Sequence, residues 1–190
     1  GVPVANGSIT GNWIYGLDIE TGEILLKLQV DGMVPGGVQG LDIDTNGFLE
    51  KLFFATTAGN VYRINLSVPG TVSNATGRET DWAVEKIFDA DGYQPFFMRP
   101  TLLPISFNAD GTADVAIAIG SGNRDGIFEL NAAPHRFFVF NEPTGSPVTA
   151  VTDTDLQPLD LNSGDQTENC LYSDSVDGWY LDLYDASLTD

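Results

Sequence analysis

Basic residues are scarce in this chain, and histidine and cysteine are nearly absent. Eight Lys and Arg stand against 27 Asp and Glu over 190 residues, giving a formal net charge of -19. Such a balance excludes nucleic-acid binders, which neutralise phosphates with basic side chains, and leaves no polybasic segment for anionic lipid. It suits a soluble extracellular protein that binds divalent cations, although acidity also serves solubility alone. Beyond Arg136 there is no Lys or Arg, while Glu142 and ten Asp and Glu from Asp153 to Asp190 follow. Cys170 is the only cysteine, so no intrachain disulfide can form; a partner in another segment and a free buried thiol are the two readings left. His135 is the single histidine and precedes an apolar run, where a neutral structural role is expected. One His and one Cys furnish neither a zinc site nor a Cys-His nucleophile pair. No apolar run is long enough to span a bilayer and no signal peptide stands out, so no membrane insertion is expected of this segment. The opening GVPVANGS reads as a domain edge.

Helical periodicity is missing as well. What the chain has instead is a series of short β-rich runs between Gly, Asn, Asp and Pro turn signals. They are WIYGLDI (13–19), EILLKLQV (23–30), KLFFATT (51–57), NVYRINL (60–66), WAVEKIF (82–88), DVAIAIG (114–120), HRFFVFN (135–141) and GWYLDL (178–183). An all-β fold follows.

The runs repeat. Asp42-Ile43-Asp44-Thr45-Asn46-Gly47-Phe48-Leu49-Glu50 aligns without a gap on Ser106-Phe107-Asn108-Ala109-Asp110-Gly111-Thr112-Ala113-Asp114, and the apolar runs Leu52–Ala55 and Ala116–Ile119 then coincide. A second set of matches is Ile14–Asp18, Val61–Asn65 and Phe137–Asn141, aromatic-containing strands that each end in Asp or Asn. Asp18 is followed by Thr21-Gly22, and Asn141 by Thr144-Gly145 at the same spacing. Ile14 and Val61 lie 47 positions apart; the third copy is displaced by NRDGIFELNAAP (123–134), which reads as an insertion. Four-stranded units recurring at this period mark a β-propeller, which needs about 4–8 blades to close. The expectation is one propeller domain or fragment over 1–190, with a blade at about 36–88 and a second at about 98–152. Half-blades are expected at both ends, and a loop-rich insertion around 143–177. A β-sandwich would leave the repeat unexplained.

Asp42, Asp44 and Asn46 occupy alternate positions before Gly47, and two readings compete for them. One is a polar turn whose side chains satisfy their own backbone. The other is a calcium loop: calcium takes six to eight oxygens, and such loops supply side chains from positions 1, 3 and 5, turn at a Gly and add a backbone carbonyl at 7. That register assigns Asp42, Asp44, Asn46 and, through its carbonyl, Phe48. An EF-hand closes with Glu at position 12, here Phe53, so closure falls to Glu50. The echo supplies a second, less charged candidate from Ser106, Asn108, Asp110, Thr112 (by its carbonyl) and Asp114, with a vestigial structural loop as its alternative.

The remaining polar clusters read as structure. Asp89-Ala90-Asp91-Gly92 and Asp174-Ser175-Val176-Asp177-Gly178 are solvated turns, and Asp153, Asp155, Asp160 and Asp165 line a surface loop. Trp13, Trp82 and Trp179 are spaced like blade-packing core residues and not like a sugar platform. Asn6-Gly7-Ser8, Asn65-Leu66-Ser67 and Asn74-Ala75-Thr76 match the glycosylation sequon by chance. Carboxylate pairs abound, yet nothing sets two across a cleft as glycosidase chemistry requires.

Tyr15-Gly16-Leu17-Asp18…Thr21-Gly22-Glu23-Ile24-Leu25 resembles the strand pair of quinoprotein-like propellers. After it come the acidic loop, Gly59-Asn60-Val61-Tyr62-Arg63-Ile64-Asn65-Leu66, Trp82 with Ile87-Phe88, and Gln94-Pro95. Ala116–Gly120 opening on Gly-Ser-Gly-Asn-Arg and Gly178-Trp179-Tyr180-Leu181-Asp182-Leu183 complete the order. The whole resembles the C-terminal β-propeller of the PilY family of type IV pilus biogenesis and tip-adhesin proteins. The resemblance implies a propeller of about seven blades in a non-enzymatic, pilus-associated protein at the bacterial cell surface. Pilus minor subunits or other tip proteins, and a host or surface ligand, are the partners it implies. It also implies Ca2+ in an Asp-x-Asp-x-Asp-Gly-x-x-Asp loop, which falls on Asp42, Asp44, Asn46 and Glu50 with departures at the last two. Some members carry Arg-Gly-Asp; here only Arg124-Asp125-Gly126 occurs, which does not support integrin binding. The alternatives are a quinoprotein-type dehydrogenase, whose adjacent cysteines are missing, and a generic FG-GAP-like adhesion module.

Overall fold

The computed structural model describes residues 11–67, 82–90, 94–107, 113–122, 135–145, 147–159 and 177–183. These residues are all-β apart from one 3-10 turn at Asp153–Asp155. The first two strands, β1 (Trp13–Leu17) and β2 (Ile24–Gln29), form an antiparallel hairpin. Asp18 shapes its turn by accepting the Glu20 and Thr21 amides on Oδ1, and Gly22 takes the left-handed backbone (φ 72°) that completes it.

β3 (Val38–Leu41), β4 (Lys51–Ala55), β5 (Asn60–Asn65) and β6 (Val84–Asp89) then run as a four-stranded antiparallel meander. A second meander is built from β7 (Thr101–Phe107), β8 (Ala113–Gly120), β9 (Arg136–Asn141) and β12 (Gly178–Asp182). Between β9 and β12 a short strap crosses from one sheet to the other. Its β10 (Val151–Thr152) adds parallel to β6, and its β11 (Gln157–Pro158) adds parallel to β12.

The three sheets stack in chain order, hairpin on first meander on second. Side chains alternate across a strand, so β4 and β5, covered on both faces, must be apolar at both parities. Phe54, Tyr62 and Ile64 meet Leu26 and Val30 from the hairpin side. Phe53, Ala55, Val61 and Phe88 face the other way, onto Val115, Ile117, Phe138 and Phe140 of the second meander. At the centre Phe88 stacks on Phe140 with ring centroids 4.4 Å apart and planes 15° apart, and touches Phe138 at 5.1 Å. Such ring pairs add about 0.5–1.5 kcal/mol each beyond their buried area.

The repeat expected from the sequence is a repeat of topology. The aligned segments 42–50 and 106–114 both join the first two strands of a meander, and Val61–Asn65 and Phe137–Asn141 are both third strands. The second unit departs from expectation at its end. Its fourth strand is β12, on the far side of the 143–177 segment, and not the stretch up to 152; Val151 and Thr152 belong to the edge of the first sheet. Pairing of β9 with Gly178–Asp182 packs half-buried Tyr180 against Phe138 (centroids 6.4 Å apart). The insertion at 123–134 lies outside the described residues.

Trp13 lies outside both buried clusters: it is 39% exposed on the outward face of the hairpin, with the Lys27 ammonium 4.6 Å above its ring. Trp82 and Trp179 are half-buried, Trp82 against the hairpin-side cluster and Trp179 beside Phe137. Among the described residues no helix is long and apolar enough to cross a membrane.

Candidate metal site

The loop 42–50 connects β3 to β4 and is pinned at its base by the Glu50 amide donating to Leu41 O (2.9 Å) and the Leu66 amide donating to Glu50 O (2.7 Å). Inside it the backbone turns toward the acids. Asp42 accepts the Asn46 amide on Oδ1 (3.2 Å) and the Gly47 amide on Oδ2 (2.9 Å), and Asp44 accepts the Asn46 amide on Oδ1 (3.1 Å). Thr45 (φ 58°) and Gly47 (φ 91°) carry the left-handed backbone that this inward turning needs. Glu50 reaches back from the start of β4 and accepts the Ile43 amide on Oε2 at 2.5 Å.

The result brings carboxylate oxygens of Asp42, Asp44 and Glu50 within 4.8 Å of one another. Oxygens sharing one calcium at about 2.4 Å lie up to about 4.8 Å apart, so the spacing fits a single hard cation. A polar turn accounts for each of these side chains singly, since Asp42, Asp44, Asn46 and Glu50 all accept backbone amides of the loop; what a cation adds is a reason for three carboxylates to converge. Asn46 stands differently: its Nδ2 donates to Asp44 Oδ2 (2.8 Å) and its Oδ1 accepts the Phe48 amide (2.8 Å). The amide group therefore presents hydrogens to the carboxylates, and its oxygen joins a metal only by turning over. Phe48 holds its ring in solvent, 77% exposed, so it enters the loop through its backbone alone. Among the described residues none of the three acids forms an ion pair.

Of the second candidate, Asn108, Asp110 and Thr112 lie outside the described residues. Ser106 and Asp114 are paired across β7 and β8, and the Ser106 hydroxyl donates to Asp114 Oδ2. Among the described residues of that candidate, Asp114 alone supplies charge. Cys170, Arg124–Gly126, Asp160, Asp165, Asp174, Asp91, Asn6 and Asn74 likewise lie outside the described residues. Asp89 meets Lys86 at 2.6 Å, and Asp153 meets Arg136 at 3.1 Å, so neither is merely a solvated loop acid. Asp155 caps the 3-10 turn by accepting the Thr152 amide and hydroxyl, and those bonds hold its carboxyl below the usual value. His135 is half-buried with its Nδ1 unpartnered.

One polar cluster was not visible as such in the sequence. Glu142, just beyond β9, accepts Lys51 at 2.8 Å and Arg63 at 2.6 Å from the first meander. Arg63 also donates to Pro143 O (3.1 Å) and, through Nε and Nη2, to Glu85 (3.0 and 2.7 Å). Burial works against the Arg63 guanidinium, but its hydrogen bonds to Glu142 and Glu85 outweigh it and leave the pKa above the ordinary value. Lys51 follows Glu50 directly, so this buried node anchors one end of the acidic loop to the second meander.

This stack of meanders has a counterpart among solved structures. Its fold resembles the PilY1 C-terminal domain. The crystal structure of that domain from Pseudomonas aeruginosa superposes with a TM-score of 0.63 at 17% sequence identity, covering 90% of this chain. The chain spans 44% of that domain's length. No protein-family model matches the sequence, and no curated protein matches it. At this identity the likeness is one of fold.

Proposed function

We propose that this chain is a calcium-binding β-propeller module of a type IV pilus-associated surface protein, acting in pilus biogenesis, extension and retraction control, and adhesion. The two meanders serve as successive blades and the hairpin as the outer half of a preceding one, in a propeller of about seven blades. The observation that carries the reading is the stack itself, which ends on two apolar faces. The hairpin turns Trp13, Tyr15, Leu17 and Ile24 outward, and the second meander turns Leu103 (61% exposed) outward beside half-buried Val139 and Trp179. Faces of this chemistry are the ones that pair inside the stack, so further blades suit them. The likeness to less than half of the PilY1 C-terminal domain supports the same reading. It is a binding module and not an enzyme, with pilus minor subunits or other tip proteins as partners.

Calcium fits the Asp42–Glu50 loop, where Asp42, Asp44 and Glu50 are the ligands by side chain and Phe48 by its carbonyl. Bound there, the ion offsets the mutual repulsion of three carboxylates and ties β3 to β4. At a calcium concentration of 100 Kd, mass action adds about 2.7 kcal/mol, or about 5–10 °C in melting temperature for a domain of this size. Asp44→Ala and Glu50→Gln should each abolish most of that rise. Equal melting temperatures in calcium and in chelator would remove the calcium part. Unchanged pilus number and twitching in a strain carrying Asp44→Ala would remove the regulatory part.

A further inference from the structure

The tip of the acidic loop is set up for a covalent change of its own. Asn-Gly occurs at 6–7 and at 46–47 in this chain, and at the second pair both residues are exposed. Asn46 Oδ1 accepts the Phe48 amide at 2.8 Å, closing a ring that contains both Asn46 Cγ and the Gly47 nitrogen. The same bond polarises the side-chain carbonyl and holds a donor where negative charge would gather if Cγ were attacked. The Gly47 amide donates to Asp42 Oδ2 at 2.9 Å, which offers an acceptor for the proton that an attacking nitrogen must lose. Asn46 Nδ2, the nitrogen that would leave, donates to Asp44 Oδ2 at 2.8 Å. Gly47 has no Cβ to hinder the approach, and its φ of 91° is one that other residues resist.

We propose that Asn46 is a site of spontaneous deamidation, which gives the loop a fourth carboxylate after synthesis. The Gly47 nitrogen bonds to Asn46 Cγ and gives up its proton, the Cγ–Nδ2 bond breaks, and the side-chain nitrogen leaves with that proton as ammonia. Water then opens the cyclic imide. Opening at Cγ leaves an aspartate at position 46, and opening at the main-chain carbonyl leaves an isoaspartate with one more carbon in the backbone. Net, one water is consumed and one ammonia released, with no oxidant or reductant. The amide hydrogens that Asn46 presents to Asp44 are lost, and an ionised carboxylate there only accepts. Its effect on cation binding rests on the calcium reading of the loop, where ligand charge sets affinity; the covalent change does not.

Incubating the folded chain at neutral pH for days, with peptide mass spectrometry at intervals, tests the proposal. Trypsin releases residues 28–51, in which Asn46 is the only asparagine. That peptide should gain about 1 Da as the amide becomes an acid, and isoaspartyl methyltransferase should label part of it. Gly47→Ala, whose Cβ meets nothing within 4 Å, should slow the gain by about tenfold or more. Asn46→Gln should all but abolish it, because the longer side chain must close a larger ring. Asn46→Asp, the product of opening at Cγ, should bind calcium about tenfold more tightly than the freshly prepared chain. A folded chain that keeps its mass while the urea-unfolded chain gains it overturns the proposal, as does a gain that Gly47→Ala leaves unchanged. Equal calcium affinity in Asn46→Asp and the native chain overturns the tie to the cation. Calcium binding to neither, with the mass gain intact, removes the calcium reading and leaves the modification standing.

Discussion

Glu142→Ala tests the junction between the two meanders. The carboxylate is 5% exposed and accepts Arg63 at 2.6 Å and Lys51 at 2.8 Å, whose side chains are 8% and 17% exposed. Deleting it leaves two cations facing each other in a site that water barely reaches. Breaking a buried pair in this way costs about 3–5 kcal/mol, and two charge-assisted hydrogen bonds at about 1.5–3 kcal/mol each give an overlapping range of about 3–6 kcal/mol. Arg63 keeps Glu85 and Pro143 O, and Lys51 can swing partly into solvent. The expected loss is therefore about 4 kcal/mol, or about 8–16 °C in melting temperature. Glu142→Gln retains an acceptor without its charge and should lose about half as much. Urea unfolding followed by tryptophan fluorescence measures both, and a cycle with Arg63→Met isolates the pair. The double variant should be less destabilised than the sum of the single ones. A Glu142→Ala chain within 1 kcal/mol of the native one would show that the two meanders do not depend on this node.

Tyr62 is half of a second test. Its raised pKa means the folded state resists losing the phenol proton, so its contribution is complete below the unfolded value of 10.0 and is lost as pH rises through the folded value. Stability measured from pH 9 upward should fall more steeply in the native chain than in Tyr62→Phe, and parallel curves would refute the assignment. Gly36→Ala places a Cβ 2.3 Å from the Arg99 amide nitrogen and 2.4 Å from the Met98 carbonyl carbon, where only backbone can yield. It should cost about 1–3 kcal/mol or more. The matched control Gly22→Ala, whose Cβ meets open space, carries only the strain of φ 72°.

Much of the architecture was legible because local periodicity reports burial directly. Leu52-Phe53-Phe54-Ala55 and Val61-Tyr62 are apolar at consecutive positions, which only a strand covered on both faces can afford, and both lie in the sheet sandwiched between two others. The acidic loop was legible because its acids are neighbours in the chain: Asp42, Asp44 and Glu50 are gathered by one short turn between two strands, with no distant segment needed. The end of the second meander was not legible. Val151-Thr152 and Gly178–Asp182 are both competent short strands, and only the long-range pairing shows that the first joins β6 and the second joins β9. Trp13 shows a related limit, since spacing places it on a strand but cannot say whether another sheet lies over that face.

By itself the sequence determined an all-β chain of repeated strand units, strongly acidic, with a short loop rich in oxygen donors. Those features are local, set by side-chain alternation, turn residues and charge. Tertiary structure alone decided which segments share a sheet, how the strap at 151–158 joins two of them, and that Glu142 meets Lys51 and Arg63 some 80 to 90 positions away in the chain. Long-range pairing depends on the summed complementarity of whole faces, and no short stretch of sequence carries that information.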